Sequence, residues 1–166
     1  MRSLLALLLL CCALSTSAQT VMFAGNVAKA DIPAGYEHYF EERRKTLVLV
    51  PSGFKDAEIR ITFNSLREYL AQKPDVGREF VKHAASKRGK QLFDVPSNGG
   101  VAFIDFTQTS VHGARKVEDT HGMMGLRDGY ATFTVSIAQE KASSEPAKAL
   151  LSGGIRTLLA SIRSAA

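Results

Sequence analysis

Histidines are the side chains of this sequence best suited to metal binding or proton transfer near neutral pH. There are four of them, at His38, His83, His112 and His121. No two are spaced four residues apart, as two ligands on one helical turn would be. His112 and His121, with Glu118 and Asp119 between them, could form a metal site if the chain folds back there. Loop histidines are common near β-hairpins, and we favour that simpler interpretation.

A serine and a lysine have the S-x-x-K spacing of serine acyltransferases, in which the lysine lies one helical turn from a nucleophilic serine. These are Ser52 and Lys55, but they lie in a turn that contains Pro51 and Gly53, and the partner motifs S-D-N and K-T-G are absent. The sequence also lacks G-x-S-x-G, H-E-x-x-H, Walker and G-x-G-x-x-G motifs. We therefore assign no catalytic, cofactor-binding or metal-binding residue, and we expect no cofactor.

Two adjacent methionines offer a different kind of chemistry. Met123 and Met124 could form an adaptable apolar contact surface, because thioethers repack easily around varied partners. Burial of both side chains in the core of a hairpin is the alternative, and we favour it.

The first 18 residues are typical of a secretory signal peptide. Arg2 gives a positive start, residues 4–14 form an apolar stretch, and the small residues that follow favour cleavage after Ala18. The apolar stretch is shorter than the about 20 residues of a bilayer-spanning helix. We expect residues 19–166 to form a single domain that is periplasmic or secreted and does not span a membrane.

Both cysteines of the chain, Cys11 and Cys12, lie in the segment expected to be removed. Lipid attachment to one of them is an alternative, although no small residue precedes either cysteine as such attachment usually requires. The expected mature chain has no disulfide, thiolate nucleophile or cysteine metal site. Its stability must come from packing, which a chain of 148 residues can supply.

The charge pattern argues against nucleic acid as a partner. Residues 19–166 contain 20 basic and 16 acidic side chains. The basic residues form short groups interrupted by acids, and no aromatic side chains interleave them as in a nucleic-acid platform. A solvated surface is the interpretation we favour, with an anionic lipid or a glycan surface as alternatives.

The first half of the chain predicts three strands. Residues 46–50 are a short apolar run between turn residues, typical of a strand buried on both faces. Residues 58–64 alternate strictly, which places Ile59, Ile61 and Phe63 on a buried face. Residues 21–30 predict one further strand, which ends at a turn containing Pro33 and Gly35.

The second half predicts two hairpins and an edge strand. Residues 91–95 and 101–107 flank a loop with the turn chemistry of a hairpin. Residues 115–120 are polar and predict an edge strand, whose charges would discourage edge-to-edge association. Asp128-Gly129 is a type I′ turn signal that joins strands over 123–127 and 130–138, and the second strand has a core face formed by Phe133, Val135 and Ile137.

Two amphipathic helices are predicted. A helix over 74–88 has an apolar side formed by Val76, Phe80, Val81, Ala84 and Ala85. A terminal helix, capped by Ser144, runs to about Arg163 with an apolar stripe of Leu151, Ile155, Leu158, Leu159 and Ile162. The Gly153-Gly154 pair inside it predicts a bend or a close approach to the sheet. Together these elements predict an α+β fold, in which an antiparallel sheet is flanked by two helices.

The order of elements resembles the PsbP-like and DcrB-like domains over residues 21–164. The resemblance is carried by the Ile-Pro-Ala-Gly-Tyr sequence at residues 32–36, the alternating strand, the helix and hairpins, and the terminal helix. The chain departs from the pattern at Tyr36, where the family commonly has tryptophan, and it contains no tryptophan. The resemblance implies an antiparallel sheet flanked by helices in a largely non-catalytic family of assembly factors, adaptors and small exported proteins.

The leading hypothesis is an exported, non-enzymatic accessory or adaptor domain of the bacterial cell envelope that binds a protein partner, which could include a toxin. The absence of cysteines and of N-x-[ST] acceptors after residue 18 favours a bacterial origin. The alternative is a small carrier of lipid or another apolar ligand, held between the sheet and the terminal helix. A carrier needs an apolar pocket, whereas partner binding needs an exposed patch. An uncharacterised hydrolase that uses His112 or His121 is a weaker alternative.

Overall fold

The computed structural model describes residues 19–165, so the predicted signal peptide with its two cysteines lies outside the described residues. The strands are β1 (Gln19–Phe23), β2 (Ala28–Ile32), β3 (Tyr36–Glu41), β4 (Thr46–Pro51), β5 (Ala57–Ser65), β6 (Phe93–Val95), β7 (Gly100–His112), β8 (Arg115–Leu126), β9 (Gly129–Ala138) and β10 (Ile162–Ser164). The helices are α1 (Val76–Lys87), α2 (Glu145–Ala149) and α3 (Ile155–Ser161). Single 3-10 turns occupy Glu42–Arg44, Arg67–Tyr69, Pro96–Asn98 and Gln139–Lys141.

Two antiparallel sheets organise these elements. Seven strands form the main sheet in the order β3-β4-β5-β9-β8-β7-β6, and β1, β2 and β10 form a smaller one. The predicted α+β class, with an antiparallel sheet and a C-terminal helix, is confirmed. The smaller sheet was not predicted, because its strand β10 forms only through pairing with the distant β2.

The single strand predicted over 21–30 is wrong. The chain reverses between β1 and β2, where Ala24, Gly25 and Asn26 all have positive φ. Positive φ at Ala24 is unusual for a residue other than glycine, so propensity alone gave no signal of this turn.

The main sheet has one buried face, which we call the core face. Strand β5 follows the predicted alternation, with Ile59, Ile61 and Phe63 at most 4% exposed. Phe133 and Val135 of β9 are equally buried, as predicted. The smaller sheet and the C-terminal helix cover this face, since their apolar residues share its hydrophobic cluster. The predicted double burial of β4 is also confirmed, because Leu47, Val48 and Leu49 are at most 1% exposed.

Helix α1 packs on the opposite face of the main sheet. Val81 and Ala85 are fully buried against Phe103 and Met123. Phe80, predicted on the buried side, is 44% exposed and stacks on Tyr130 instead. Gly77 takes the buried position, because a Cβ there would overlap the carbonyl oxygens of Gly129 and Leu126.

The C-terminal helix consists of α2, a π-helical turn over Leu150–Gly154, and α3. Ser144 caps it as predicted, since the Ala147 amide donates to Ser144 Oγ at 3.4 Å. A bend or a close approach to the sheet was predicted at Gly153 and Gly154. The structure has a π-helical turn at these two residues. The helix ends at Ser161 rather than near Arg163, because the chain turns into β10.

Two expectations for β8 and β9 are wrong. Residues 115–120 do not form an edge strand, because β8 lies between β7 and β9. The turn between β8 and β9 is formed by Arg127-Asp128, one residue earlier than predicted, since Leu126 pairs with Gly129. It is not a type I′ turn, because neither Arg127 nor Asp128 has positive φ.

Candidate functional site

The face of the main sheet opposite the core face is only partly covered by α1. Cross-strand pairing aligns one row of residues over six strands, in the order Tyr39, Val48, Arg60, Thr134, His121 and Phe106. Directly opposed residues on antiparallel strands point to the same face. Thr132 lies two residues before Thr134 on the same face and is exposed. We call the surface formed by Tyr39, Arg60, Phe106, His121, Thr132 and Thr134 the open face.

His121 is held at the centre of the open face by neutral neighbours. Its Nδ1 lies 3.0 Å from Thr134 Oγ1, and its Nε2 lies 3.3 Å from Gln108 Nε2. The Phe106 ring covers it, with 4.6 Å between ring centroids. Both imidazole nitrogens therefore have polar neighbours within the sheet. These contacts hold the His121 ring in a fixed position on the open face.

The second nominated histidine contacts a buried carboxylate. Asp119 is 3% exposed. Ser136 Oγ donates to Asp119 Oδ1 at 2.6 Å, and His112 Nε2 lies 3.2 Å from Asp119 Oδ2. In a catalytic triad the histidine lies between the acid and the hydroxyl, so that it can take the hydroxyl proton. Here the acid lies between the other two, so Ser136 is bound to an acceptor that is not a histidine.

The two nominated histidines are not brought together as metal ligands. His112 binds Asp119, whereas His121 contacts Thr134 and Gln108. Within residues 19–165 no three histidine, cysteine or acidic side chains are grouped so that they could hold a metal ion. The arrangement joins β7, β8 and β9 through polar contacts and offers no open coordination site.

A charged cavity of about 470 Å³ adjoins this network, and Ser136 and His112 both line it. Each of four basic side chains on its wall has a carboxylate partner: Arg44 with Glu41 at 3.9 Å, Lys55 with Glu37 at 2.9 Å, Arg60 with Glu58 at 2.7 Å, and Arg115 with Asp56. An anionic ligand would compete with these partners for the same donors. The balanced charges make the cavity a poor site for a polyanion.

Tyr39 joins the open face to the charged cavity. Its hydroxyl donates to Glu58 Oε2 at 3.0 Å. Burial raises the pKa of the Tyr39 phenol, and the hydrogen bond and negative charge of Glu58 add to the rise. Burial also raises the pKa of Tyr36. Tyr39 thus acts as a neutral hydrogen-bond donor over the pH range in which proteins function.

The remaining nominated residues have structural positions. Ser52 is exposed in the turn after β4, and Lys55 pairs with Glu37. Met124 is fully buried in the core and Met123 is 8% exposed under α1. The hypothesis of a methionine contact surface is therefore wrong, and core burial is correct.

An apolar depression of about 340 Å³ lies where the C-terminal helix meets the ends of β3 and β4. Its walls include Tyr36, Pro51, Phe54, Pro146, Ala149 and Leu150. Farther along the apolar stripe predicted for the terminal helix, Ile155 and Leu158 are 1% exposed and packed in the core, and Leu151 is half-buried against it. The depression lies nearer the start of the helix than these residues.

Sequence reasoning did not identify the open face, although part of its signal was present. Alternation in β9 placed Thr132, Thr134 and Ser136 opposite the core residues. The alignment of Thr134 with Arg60 and His121 depends on strand order and register, which alternation does not give.

None of the helices between residues 19 and 165 is long and apolar enough to cross a membrane.

No family model matches the sequence, and neither does any curated protein. Among solved structures, the chain is similar to a crystal structure from Bacteroides thetaiotaomicron VPI-5482, with a TM-score of 0.59 and 5% sequence identity. The match covers 89% of this chain and 48% of that one, so this chain spans about half the length of the Bacteroides protein. This likeness supports the fold alone.

The chain is also similar to the solution structure of cyanobacterial PsbP (CyanoP) from Synechocystis sp. PCC 6803, with 13% identity. The match covers 89% of this chain and 92% of that chain, at a TM-score of 0.37.

Proposed function

We propose that this chain is an exported, non-enzymatic accessory domain of the bacterial cell envelope, and that it binds a protein partner on the open face. The observation that carries this proposal is the composition of that face. Aromatic side chains, Tyr39 and Phe106, stand at its two ends, 45% and 47% exposed, with hydroxyl groups between them. Aromatic residues with neutral polar groups are typical of protein interfaces.

The charges near the open face favour a neutral, polar partner surface. Arg60 is engaged by two carboxylates, Glu58 at 2.7 Å and Glu41 at 3.1 Å. The hydroxyl of Thr132 and the phenol of Tyr39 supply hydrogen-bonding groups that carry no charge. A nucleic acid or an anionic lipid would find little unpaired positive charge here.

The order of the polar groups supports a binding role over hydrolysis. Ser136 donates its proton to Asp119, and His112 binds the other oxygen of the same carboxylate. A hydrolase would need a base in contact with its nucleophile. The resemblance to a largely non-catalytic family supports the same proposal, as does the leader-like sequence of residues 1–18.

Affinity capture from envelope extracts of the native host tests the proposal. The wild-type chain and two variants, Thr132→Arg on the open face and Thr157→Arg on the C-terminal helix, serve as bait. Both threonines are exposed, so each variant adds the same charge at a solvent-accessible position. The proposal is supported if wild type and Thr157→Arg retain one protein in constant ratio and Thr132→Arg retains at least about tenfold less of it. A tenfold loss of affinity corresponds to about 1.4 kcal/mol of binding free energy.

Equal retention by Thr132→Arg would contradict binding at the open face. Failure of wild type to retain any protein in constant ratio would contradict the proposal as a whole. Circular dichroism of all three chains checks that neither substitution changes the fold.

The apolar depression supports a second candidate function, the carriage of an apolar ligand. Its volume of about 340 Å³ lies at the lower end of the range for small-molecule sites. Ala149→Trp would fill it from the exposed face of the helix, and Ser143→Trp, at an exposed position before the helix, is the control. A carrier would lose binding of a fluorescent fatty acid in Ala149→Trp alone, whereas absence of binding by wild type excludes fatty-acid carriage.

A further inference from the structure

Among residues 19–165, the outer edge of β7 has no strand partner over most of its length. Strand β6 pairs with Gly100, Val101 and Ala102 only, and β7 continues for ten residues beyond them. Apart from the pairing with β8 on the opposite side, no backbone hydrogen bond among the described residues reaches residues 104–112. A β-bulge between Ile104 and Phe106 marks the start of the open stretch. We call residues 106–112 the free edge of β7.

Apart from the bulge at its start, the free edge lacks the features that usually prevent strand association. Residues 106–111 read Phe-Thr-Gln-Thr-Ser-Val, with no charged residue and no proline. Natural edge strands are commonly protected by lysine, by proline or by inward-pointing charges. The other long edge of the main sheet is strand β3, which carries Glu37 and Glu41. The absence of such protection on β7 points to a strand that is paired when the protein functions.

The free edge is complementary to a second copy of itself. If two copies pair antiparallel about Thr109, then Phe106 lies opposite His112, Thr107 opposite Val111, and Gln108 opposite Ser110. In each pair both side chains point to the same face, because their numbers differ by an even count. No two like charges are opposed. The pairing brings a second strand alongside Val111, which is 65% exposed in the single chain and points to the face opposite the open face.

We propose that this chain forms a two-fold symmetric dimer by antiparallel pairing of β7 with β7 of a second copy, centred on Thr109. The two seven-stranded sheets then join into one continuous sheet of fourteen strands. Because the two-fold axis runs perpendicular to the sheet, both open faces lie on the same side. The dimer goes beyond the proposed partner binding and would present two copies of that surface.

A disulfide test examines the register directly. In the full chain with Cys11→Ser and Cys12→Ser, Thr109→Cys places two thiols directly opposite each other. Opposed residues in an antiparallel pair have Cα atoms about 4.5–5.5 Å apart, which suits a disulfide. Thr107→Cys is the matched control, because the two copies of residue 107 would lie about 13 Å apart along the pair. We expect Thr109→Cys to form the covalent dimer at least about tenfold faster, and equal rates would overturn the proposal.

Sedimentation velocity gives an independent readout without new thiols. A seven-residue edge is a small interface, so we expect weak dimerisation. The dimer fraction of the wild-type chain should rise as its concentration is raised to on the order of 100 μM. Thr109→Lys opposes two ammonium groups and should leave a monomer, whereas the control Thr157→Lys should dimerise like wild type. A wild-type chain that stays monomeric throughout, or a Thr109→Lys chain that still dimerises, would overturn the proposal. Thr132→Arg should dimerise normally, so failure of partner binding and failure of dimerisation are distinguished.

Discussion

Ser136 Oγ donates a hydrogen bond to the buried carboxylate of Asp119 at 2.6 Å, and the two residues face each other directly across β9 and β8. This orientation gives the serine proton to a carboxylate rather than to an imidazole. His112 contacts the other oxygen of the same carboxylate. The three side chains therefore link the neighbouring strands β7, β8 and β9. Asp119 lies between the other two, an arrangement that stabilises the sheet and does not activate the serine.

The Asp119 contacts predict a loss of stability on truncation. Asp119→Ala would leave Ser136 Oγ buried without its acceptor, and we expect the free energy of unfolding to fall by about 1–3 kcal/mol. Urea denaturation followed by circular dichroism measures the change. Ser52→Ala, at an exposed turn position, is the control and should leave stability unchanged. A fully stable Asp119→Ala protein would contradict this role.

Gly77 predicts a second, steric effect. In Gly77→Ala the new Cβ would overlap the carbonyl oxygens of Gly129 and Leu126, which cannot easily move because they belong to the β8–β9 hairpin. We expect a destabilisation of about 1–3 kcal/mol. Gly153→Ala meets no atom within 4 Å and should stabilise the chain by about 0.5–1 kcal/mol. Thermal unfolding of both variants provides the comparison, and similar shifts of the same sign would refute the packing argument.

Asn98 anchors the end of the C-terminal helix. Its Nδ2 donates to the carbonyl oxygens of Leu159 and Ile162 at 2.7 and 2.8 Å, and its Oδ1 accepts from the Gly100 amide at 2.9 Å. Because the last carbonyls of a helix have no partner within the helix, Asn98→Ala should cost about 1–3 kcal/mol. Hydrogen exchange should show faster exchange in β10 than in wild type. Asn64→Ala, at an exposed position, is the control and should change neither the free energy of unfolding nor the exchange of β10. Unchanged exchange of β10 in Asn98→Ala would contradict the anchoring role.

The raised pKa of Tyr39 predicts a pH dependence. Burial is the largest cause of the raised pKa of Tyr39, and the hydrogen bond and negative charge of Glu58 raise this pKa further. Because the folded state holds the phenol proton more tightly than the unfolded state, its contribution to stability is complete below the ordinary tyrosine pKa of about 10 and is lost as pH rises above it. Absorbance titration near 295 nm should show the Tyr39 pKa falling in Glu58→Gln. A Tyr39 pKa that is unchanged in this variant would contradict the assigned contact.

The sequence predicted the parts of the fold that depend on local pattern. Alternation correctly buried Phe133 and Ile61, and the Ser144 cap was placed correctly. Phe80 was misplaced: it is exposed and stacks on Tyr130, whereas Gly77 takes the buried position against the β8–β9 turn, which apolar periodicity does not signal because glycine has no side chain. A polar sequence at 115–120 predicted an edge strand, yet Asp119 is buried because its charge is satisfied by Ser136 and His112 from neighbouring strands.

The open face and the free edge of β7 depend on strand order, which local pattern does not determine. His121, Thr134 and Arg60 are distant in sequence and align only through pairing of β8, β9 and β5. The unpaired stretch of β7 follows from the shortness of β6, and no single residue signals it.

Native mass spectrometry of the protein, gently isolated from its own host, distinguishes protein binding from ligand carriage. We expect the chain to be detected with a second protein in fixed ratio, and we expect Thr132→Arg to lose this protein while Thr157→Arg keeps it. An added mass of a few hundred daltons that is released on denaturation, with no second protein, would refute protein binding and identify the chain as a carrier.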